Sequence, residues 1–461
     1  MKVLITGATG LIGNELGRRL AEAGHDIIVT SRHVNTAASE LSFPAKVFEW
    51  KKSTDDFPIE ALEGVESIVH LAGESVSARW TNERKKRIRE SRVTGTERLV
   101  EAVLKSGIGR TSLKSFVLGS AIGIYGDRGD EVLNESSAPG AGFLAEVVKE
   151  WEAKVDPLKQ MRTRAVIVRT GVVWARHGGM IQKVLPVFQS GLGGQLAQGK
   201  QWLSWIHLDD IARLFQFAVE NEVVQGVVNG VAPEPLRNDR FTVEFARALG
   251  KPVSLPVPES VLKVVLGEMS EAVLGSDRVT SSKLSEWGFQ FEHPQAVATL
   301  QEIGGPLREG RFEYRAEVWL PKPADEIFPF FSSEKNLELI TPSFVGFKVL
   351  GMSDSEIRQG TMIDYKLKIH GVPLRWKTKI DEWEPNKRFV DSQLQGPYKE
   401  WIHQHEFIPL AGGVLMRDTV LFKLPFGAAG RLIGGWKVTG DVNEIFKFRR
   451  KVIAERFGAL Q

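Results

Sequence analysis

The segment that most constrains the fold lies at the start of the chain, where Lys2-Val3-Leu4-Ile5-Thr6 runs directly into Gly7-Ala8-Thr9-Gly10-Leu11-Ile12-Gly13. A short apolar β-branched run, three glycines at this spacing and then an amphipathic stretch predict a strand, a tight turn and a helix. In that arrangement the glycines let backbone approach a pyrophosphate, and the free N–H groups of the first helical turn face its charge. A plain structural turn has the same glycines. The strand before and the helix after favour dinucleotide binding by Gly7, Thr9, Gly10, Leu11, Ile12 and Gly13.

The rest of the first half repeats this alternation. Strands are expected at Lys2–Thr6, Asp26–Ser31, Ser67–Leu71, Ser115–Gly119 and Ala165–Arg169, and helices at Leu11–Ala23, Asn82–Lys105 and Leu144–Leu158. Parallel βαβ units follow, so the fold class is α/β, a Rossmann doubly wound parallel sheet. From about Val228 prolines cut the chain into short pieces, which read as a small substrate lobe over 228–300. Residues 304–310, Gly304-Gly305-Pro306-Leu307-Arg308-Glu309-Gly310, have a linker's composition. Beyond them alternating strands at Phe312–Leu320, Thr361–Ile369, Trp376–Trp383 and Val414–Phe422, closed by a helix at Val442–Phe457, predict an α+β domain over 311–461.

Composition narrows the function classes. With 60 Lys+Arg against 57 Asp+Glu in 461 residues, the net charge of +3 makes no basic field for nucleic acid. There is no cysteine, which excludes disulfides, thiol nucleophiles and thiolate zinc sites. No run of about 18 apolar residues suggests a membrane span, and the start of the chain reads as a strand instead of a signal peptide. A cytoplasmic protein is expected. Two apolar segments, Val261–Leu274 and Leu424–Trp436, raise membrane-surface binding as an alternative, with packing against their own domains preferred.

The second strand ends Thr30-Ser31-Arg32, where a carboxylate would bind the ribose hydroxyls of NAD. Arg32 either pairs with the 2′-phosphate of NADP, with Ser31 adding a donor, or is a solvated surface charge; NADP is the expected cofactor and NAD the lesser alternative.

Gly7–Gly13, Leu71-Ala72-Gly73, Ser120–Gly126 and Trp205-Ile206-His207-Leu208-Asp209-Asp210 resemble the extended short-chain dehydrogenase/reductase superfamily. His70–Glu74, Arg79-Trp80-Thr81 and the run from Lys85 through Ser91-Arg92-Val93-Thr94-Gly95-Thr96 are similar to its atypical, sugar-nucleotide epimerase-like subgroup (NAD-dependent epimerase/dehydratase family). The resemblance covers about residues 1–303. It implies that Gly7, Gly10 and Gly13 hold the pyrophosphate, Arg32 the adenosine phosphate, and Leu71, Ala72 and Gly73 the back of the cofactor. Arg92, on the helix facing the cofactor, is expected to contact a phosphate or substrate.

Ordinary members of that superfamily exchange a proton through a Tyr-x-x-x-Lys pair. This chain has four tyrosines, and the residues four after Tyr125, Tyr314, Tyr365 and Tyr398 are Gly129, Val318, Ile369 and Ile402. The pair is absent. Leu144 and Val148 stand where it belongs, and Ala121 takes the place of the usual catalytic hydroxyl. Ser120, Tyr125, Lys149 and His207 are left as candidate catalytic groups, with Glu74 beside them. Each has a structural alternative: His207 orienting a loop through Asp209 or Asp210, Tyr125 packing at a strand end, Glu74 capping a turn, Lys149 solvated.

Residues 311–461 resemble the START-like helix-grip superfamily, also called SRPBCC or polyketide cyclase-like, on Pro321–Phe328, on Trp401-Ile402-His403-Gln404-His405-Glu406-Phe407 and on Asp418. Trp401, His403 and His405 share one face of a strand and either line an apolar-ligand cavity or are plain sheet structure. No metal site is expected, because no third ligand to the two histidines is evident. The functional expectation is an NADP-binding epimerase or oxidoreductase-like enzyme acting on a small-molecule substrate, with an apolar ligand in the second domain. An NADP-sensing binding protein with a protein partner, and a lipid-handling protein, are the alternatives.

Overall fold

In the computed structural model the described residues are 1–369, 371–425 and 427–458; within them the side chains of 334, 335, 369, 427–437 and 439 are left undescribed. The chain divides into two compact units. One comprises Met1–Val34, Ala45–Val184 and Gly191–Gly305, and the other Asn35–Pro44, Leu185–Ser190 and Pro306–Gln461.

The first unit is built on seven strands: β1 (Lys2–Thr6), β2 (Asp26–Ser31), β3 (Lys46–Glu49), β4 (Ser67–His70), β5 (Ser115–Ala121), β6 (Arg164–Thr170) and β7 (Gly226–Gly230). They lie in the order β7-β6-β5-β4-β1-β2-β3, and every pairing is parallel. Buried on both faces, β1 carries the continuous apolar run Val3-Leu4-Ile5 and β4 the pair Ile68-Val69, as parallel strands covered by helices do. The order reverses direction between β1 and β4, so the crevice at their carboxyl ends is the topological switch point at which such sheets bind ligands. The core beneath includes Leu4, Ile68, Phe116 and Leu118 together with Trp151 of the helix α4 (Phe143–Ala153).

Local departures from the expected elements have identifiable causes. The long helix foreseen over 82–105 is two helices, α2 (Asn82–Arg89) and α3 (Gly95–Ser106), joined by a π-helical turn at Glu90–Thr94. That extra residue in the turn brings Arg92 over Gly73, described below. The helix foreseen over 144–158 stops at Ala153, and Pro157 sits in the 3-10 turn that follows. Strands β3 and β7 were not foreseen, being short. In the apolar stretch from Val261, Leu262 is buried, but Val261, Val264 and Val265 are 46%, 73% and 62% exposed, so the expected packing fails there. For Leu424–Trp436, Leu424 is buried, while the side chains from 426 onward lie outside the described residues.

The second unit carries an antiparallel sheet of β8 (Arg311–Leu320), β9 (Lys348–Met352), β10 (Met362–Ile369), β11 (Val372–Glu384), β12 (Arg388–Gln395), β13 (Glu400–Leu410) and β14 (Gly413–Lys423), in the order β8-β14-β13-β12-β11-β10-β9. Strict alternation of buried and half-exposed residues along β8 and β13 shows one covered face. The covering element is the last helix, Gly427–Phe457, longer than the expected 442–457. Its Asn443 accepts a hydrogen bond from Tyr314 Oη (3.1 Å), and its Phe446 packs on the Tyr314 ring at 5.1 Å. Within residues 304–310, read from composition as linker, the division between the two units falls after Gly305, the backbone kinks at Arg308 and Glu309, and Leu307 is wholly buried with its carbonyl accepting from Gln189 Nε2 at 3.2 Å. Among the described residues, no helix is long and apolar enough to cross a membrane.

Candidate functional site

At the end of β1, Gly7 takes φ +73°, and a Cβ there would meet the backbone of Leu71 and Ala72 at 2.7–2.8 Å. A Cβ on Gly13 would lie 2.4 Å from the Gly7 carbonyl oxygen, so the helix α1 (Leu11–Glu22) sits directly on the turn. Gly10 caps α1 without a side chain and its first turn holds no acid, which leaves the amide dipoles to an incoming anion. Thr9 and Gly10 are exposed, and Leu11 and Ile12 half-buried. Thr6 fixes the opposite wall. Its Oγ1 is 2.6 Å from His70 Nδ1 and accepts from the Ala72 amide at 3.2 Å, tying β1 to the Leu71–Gly73 loop across the switch point. Burial, reinforced by the positive charge of Arg92, drives His70 down to about 3, so it stays neutral.

Arg92, expected to contact phosphate or substrate, is engaged by the chain itself. Its Nη1 donates to the Glu74 carbonyl at 2.9 Å, its guanidinium lies over the Trp151 ring at 5.3 Å, and it would be 3.2 Å from a Cβ on Gly73. It therefore supports the loop behind the crevice. Glu74 pairs with Arg84 at 3.4 Å and its amide donates to Ser91 Oγ at 2.9 Å, a structural role. At the end of β2, Ser31 is half-buried with Oγ bonded back to His33, and Arg32 is exposed.

Of the four catalytic candidates, three are placed elsewhere. Lys149 is exposed, one helical step from the buried Val148, so it points away from the core. Tyr125 is wholly buried; its hydroxyl donates to Asn229 Oδ1 at 2.8 Å and accepts from Arg169 Nη1 at 2.9 Å. Burial pushes the phenol pKa up, although Arg169 opposes this. Ser120 donates to Glu152 Oε1 at 2.6 Å, and Glu152 holds Arg169 in a two-pronged pair at 2.8 and 2.9 Å. A buried arginine on a central strand needs a carboxylate, and these residues form the satisfied network around it.

His207, the fourth candidate, caps the helix α5 (Leu208–Glu220), its Nδ1 accepting from the Asp209 amide at 3.3 Å. Asp210 does the loop-holding: its carboxylate accepts from the amides of Glu292 and His293 at 2.8 and 2.9 Å.

The carboxyl end of β5 opens on a cavity of about 470 Å³ whose walls include Trp80, Gly123, Asp127, Leu144, Lys263 and Asp277. Leu144 lies in the first turn of α4, the helix on which the tyrosine–lysine pair is expected. Asp127 Oδ1 accepts from the amides of Gly129 (3.1 Å) and Ser276 (3.3 Å). Asp277 is treated differently: Oδ1 is buried without a hydrogen-bond partner, and burial followed by the charge of Asp127 raises its pKa to about 7. Two carboxyls set apart in this way are suited to proton exchange near neutrality. Neither was read from the sequence, in which they stand far apart with no motif joining them.

In the second unit Trp401, His403 and His405 do share the covered face, at 8%, 6% and 2% exposure. Among the described residues they meet carboxylates and aromatic rings. Asp391 lies opposite His403 and Asp418 opposite His405 across the neighbouring strands. His403 Nε2 is 3.1 Å and His405 Nδ1 2.7 Å from Asp418 Oδ1, His405 Nε2 is 3.2 Å from Asp391 Oδ1, and Arg449 Nε lies 3.6 Å from Asp418 Oδ2. The carboxylates missing from the sequence reading thus come from cross-strand register.

Comparison with known proteins agrees with this geometry. Residues 3–229 match the NAD dependent epimerase/dehydratase family, and residues 257–303, which supply Asp277, match a domain of unknown function, DUF1731. The chain is 36% identical over 293 residues to epimerase family protein Mb2239 of Mycobacterium bovis, covering 63% of this chain and 93% of that protein. The crystal structure of human epimerase family protein SDR39U1 (isoform 2) with NADPH superposes with a TM-score of 0.58 at 31% identity, over 66% of this chain and 99% of that one. UDP-glucuronic acid 4-epimerase from Bacillus cereus, in complex with UDP-glucuronic acid and NAD, shares the fold with a TM-score of 0.54 at 17% identity, over 66% of this chain and 98% of that one. On its glycine turn, its sheet order and these relatives, the chain belongs to the NAD dependent epimerase/dehydratase family.

Proposed function

We propose that the first unit is an NADP-dependent oxidoreductase or epimerase-like enzyme that exchanges its proton through Asp277 and Asp127 in place of the absent tyrosine and lysine. The observation that carries this reading is the cavity at the end of β5, which has on its wall the carboxyl pair and Leu144, from the helix on which the phenol is expected.

Gly7, Gly10 and Gly13 with the first turn of α1 would hold the pyrophosphate, Leu71–Gly73 the back of the cofactor, and Arg32, with Ser31, the 2′-phosphate; the human relative's structure with NADPH supports this choice. When bound, the nicotinamide supplies a hydride donor or acceptor. Asp277, protonated below about pH 7, donates to a developing alkoxide or accepts from an alcohol, and Asp127 remains the fixed negative neighbour that keeps it basic. Lys263 on the same wall offers a cation for an anionic substrate group.

The second unit is proposed as a START-like domain, on the strand order with a long final helix over the sheet. An apolar or amphipathic ligand there would have to displace packed side chains near Trp401.

The test is NADPH binding followed by cofactor oxidation with a panel of carbonyl compounds and nucleotide sugars, for wild type and Asp277→Asn. Unchanged NADPH affinity with turnover reduced at least a hundredfold in the variant is expected. Equal turnover in both proteins refutes the proton role. No binding at millimolar NADPH refutes the cofactor assignment, and binding without oxidation of any substrate favours a sensing protein.

A further inference from the structure

We propose that His207, Asp209 and His293 bind a divalent transition cation of the zinc type, at a site separate from the cofactor crevice and the β5 cavity. The motif Trp205–Asp210 contributes a histidine and a first aspartate that have no part in the function proposed above.

Three side chains converge on one point. Asp209 Oδ2 is 3.6 Å from His207 Nδ1 and 3.6 Å from His293 Nε2, and the two imidazole rings lie 3.8 Å apart between centroids. A tetrahedral zinc with bonds of about 2.0–2.2 Å has ligand atoms separated by roughly 3.3 Å, so the two imidazole–carboxylate separations need shifts of only a few tenths of an ångström, and all three ligand atoms lie within 4.8 Å of one another. Two imidazoles and one carboxylate leave a coordination position for water or a further group. The three ligands are buried or half-buried, with Asp209 open enough to solvent for an ion to enter.

The surroundings are those of a held site. Glu302 Oε2 is 3.1 Å from His293 Nδ1, which directs Nε2 at Asp209; a carboxylate behind a ligating histidine sets its tautomer and raises its basicity. Asp210 clamps the backbone of Glu292 and His293, so the loop that supplies the third ligand is tied to the helix that supplies the second. The positive groups nearby are Arg19, 3.8 Å from Asp209, and Arg176 and His177 beside His207.

On binding, His207 Nδ1 exchanges its 3.3 Å bond from the Asp209 amide for the metal. The buried Asp391-His403-His405 cluster is the other histidine pair with a carboxylate, and there Arg449 already lies against Asp418 and, at 3.2 Å, against His405 Nδ1.

The experiment is titration of the full, tag-free, chelator-stripped chain with Co²⁺, read by its d–d absorption, and with Zn²⁺ by calorimetry. One equivalent bound per chain is expected. His293→Asn and Asp209→Asn should each weaken binding at least tenfold, and Glu302→Gln should weaken it about tenfold through His293. Melting curves of each variant show that the fold persists; if His293→Asn fails to fold, Glu302→Gln carries the test. No stoichiometric binding by the wild type, or binding that survives these variants and disappears in His403→Asn, overturns the proposal.

Discussion

Replacing Asp277 by Asn should make the first unit more stable, and increasingly so as pH rises. The unfolded carboxyl titrates near 3.8, whereas the folded one, buried on a cavity wall beside Asp127, titrates near 7. The sign follows directly. Below about pH 4 both states hold the proton and the group is neutral in stability. Above it the unfolded chain releases the proton while the folded chain retains it, so folding loses free energy until pH passes about 7, where the loss levels off. Three pKa units correspond to about 4 kcal/mol at most, and between pH 4.5 and pH 8 the gap between variant and wild type should widen by about 3 kcal/mol. In a unit of this size that is a difference in Tm of about 6 °C. Differential scanning calorimetry across this pH range, following the transition of the first unit, measures it. If the two proteins keep a constant Tm difference from pH 4.5 to 8, Asp277 is not held protonated and its acid–base role fails with it.

Arg32→Ala should weaken NADPH by about 10- to 100-fold in a fluorescence titration and leave NADH unchanged, since one charge-assisted contact to the 2′-phosphate is lost. Gly13→Ala places a methyl 2.4 Å from the Gly7 carbonyl, so cofactor binding should fall below detection in the same titration. Tyr125→Phe removes the hydroxyl that serves Asn229 Oδ1 and Arg169 Nη1 and should cost about 1–3 kcal/mol in denaturant unfolding, with turnover per bound cofactor unchanged. Lys149→Ala, at an exposed helix position, should alter neither stability nor activity beyond about 0.5 kcal/mol.

What was legible in the sequence is what is contiguous in it. Strand, glycine turn and helix occupy the first two dozen residues, and the steric need for Gly7 and Gly13 is met by atoms within that same stretch and the Leu71 loop. The absence of the tyrosine–lysine pair was equally plain. Groups made by distant segments were not: Asp277 reaches Asp127 from the far end of the unit, His293 reaches His207 through a loop held by Asp210, and the carboxylates around His403 and His405 come from adjoining strands. The alternation of β13 placed both histidines on one face, but only strand register names what stands opposite. Ser120 and Tyr125 misled for a related reason. Their chemistry suits catalysis, yet the buried Arg169 and Glu152 on neighbouring elements had already engaged them.

The two units treat buried carboxylates in opposite ways, and the contrast separates structure from function. Asp418 is deeply buried, yet Arg449, His405 and His403 outweigh the cost of desolvation and hold its pKa well below the usual range. Nothing about it is poised to react at neutral pH. Asp418→Ala would leave Arg449 and both histidines facing an unfilled site and should cost about 3–5 kcal/mol in the unfolding of the second unit. Asp277 has the reverse balance: burial and the charge of Asp127 both raise its pKa, and one oxygen lacks a partner. A fold that retains a carboxyl where Asn would be more stable must draw something from it other than stability. The two variants should therefore move in opposite directions, Asp418→Ala lowering the Tm of its unit and Asp277→Asn raising that of the other at pH 8. If Asp277→Asn also lowers Tm at that pH, the carboxyl is structural, and the cavity at the end of β5 has lost its proton donor.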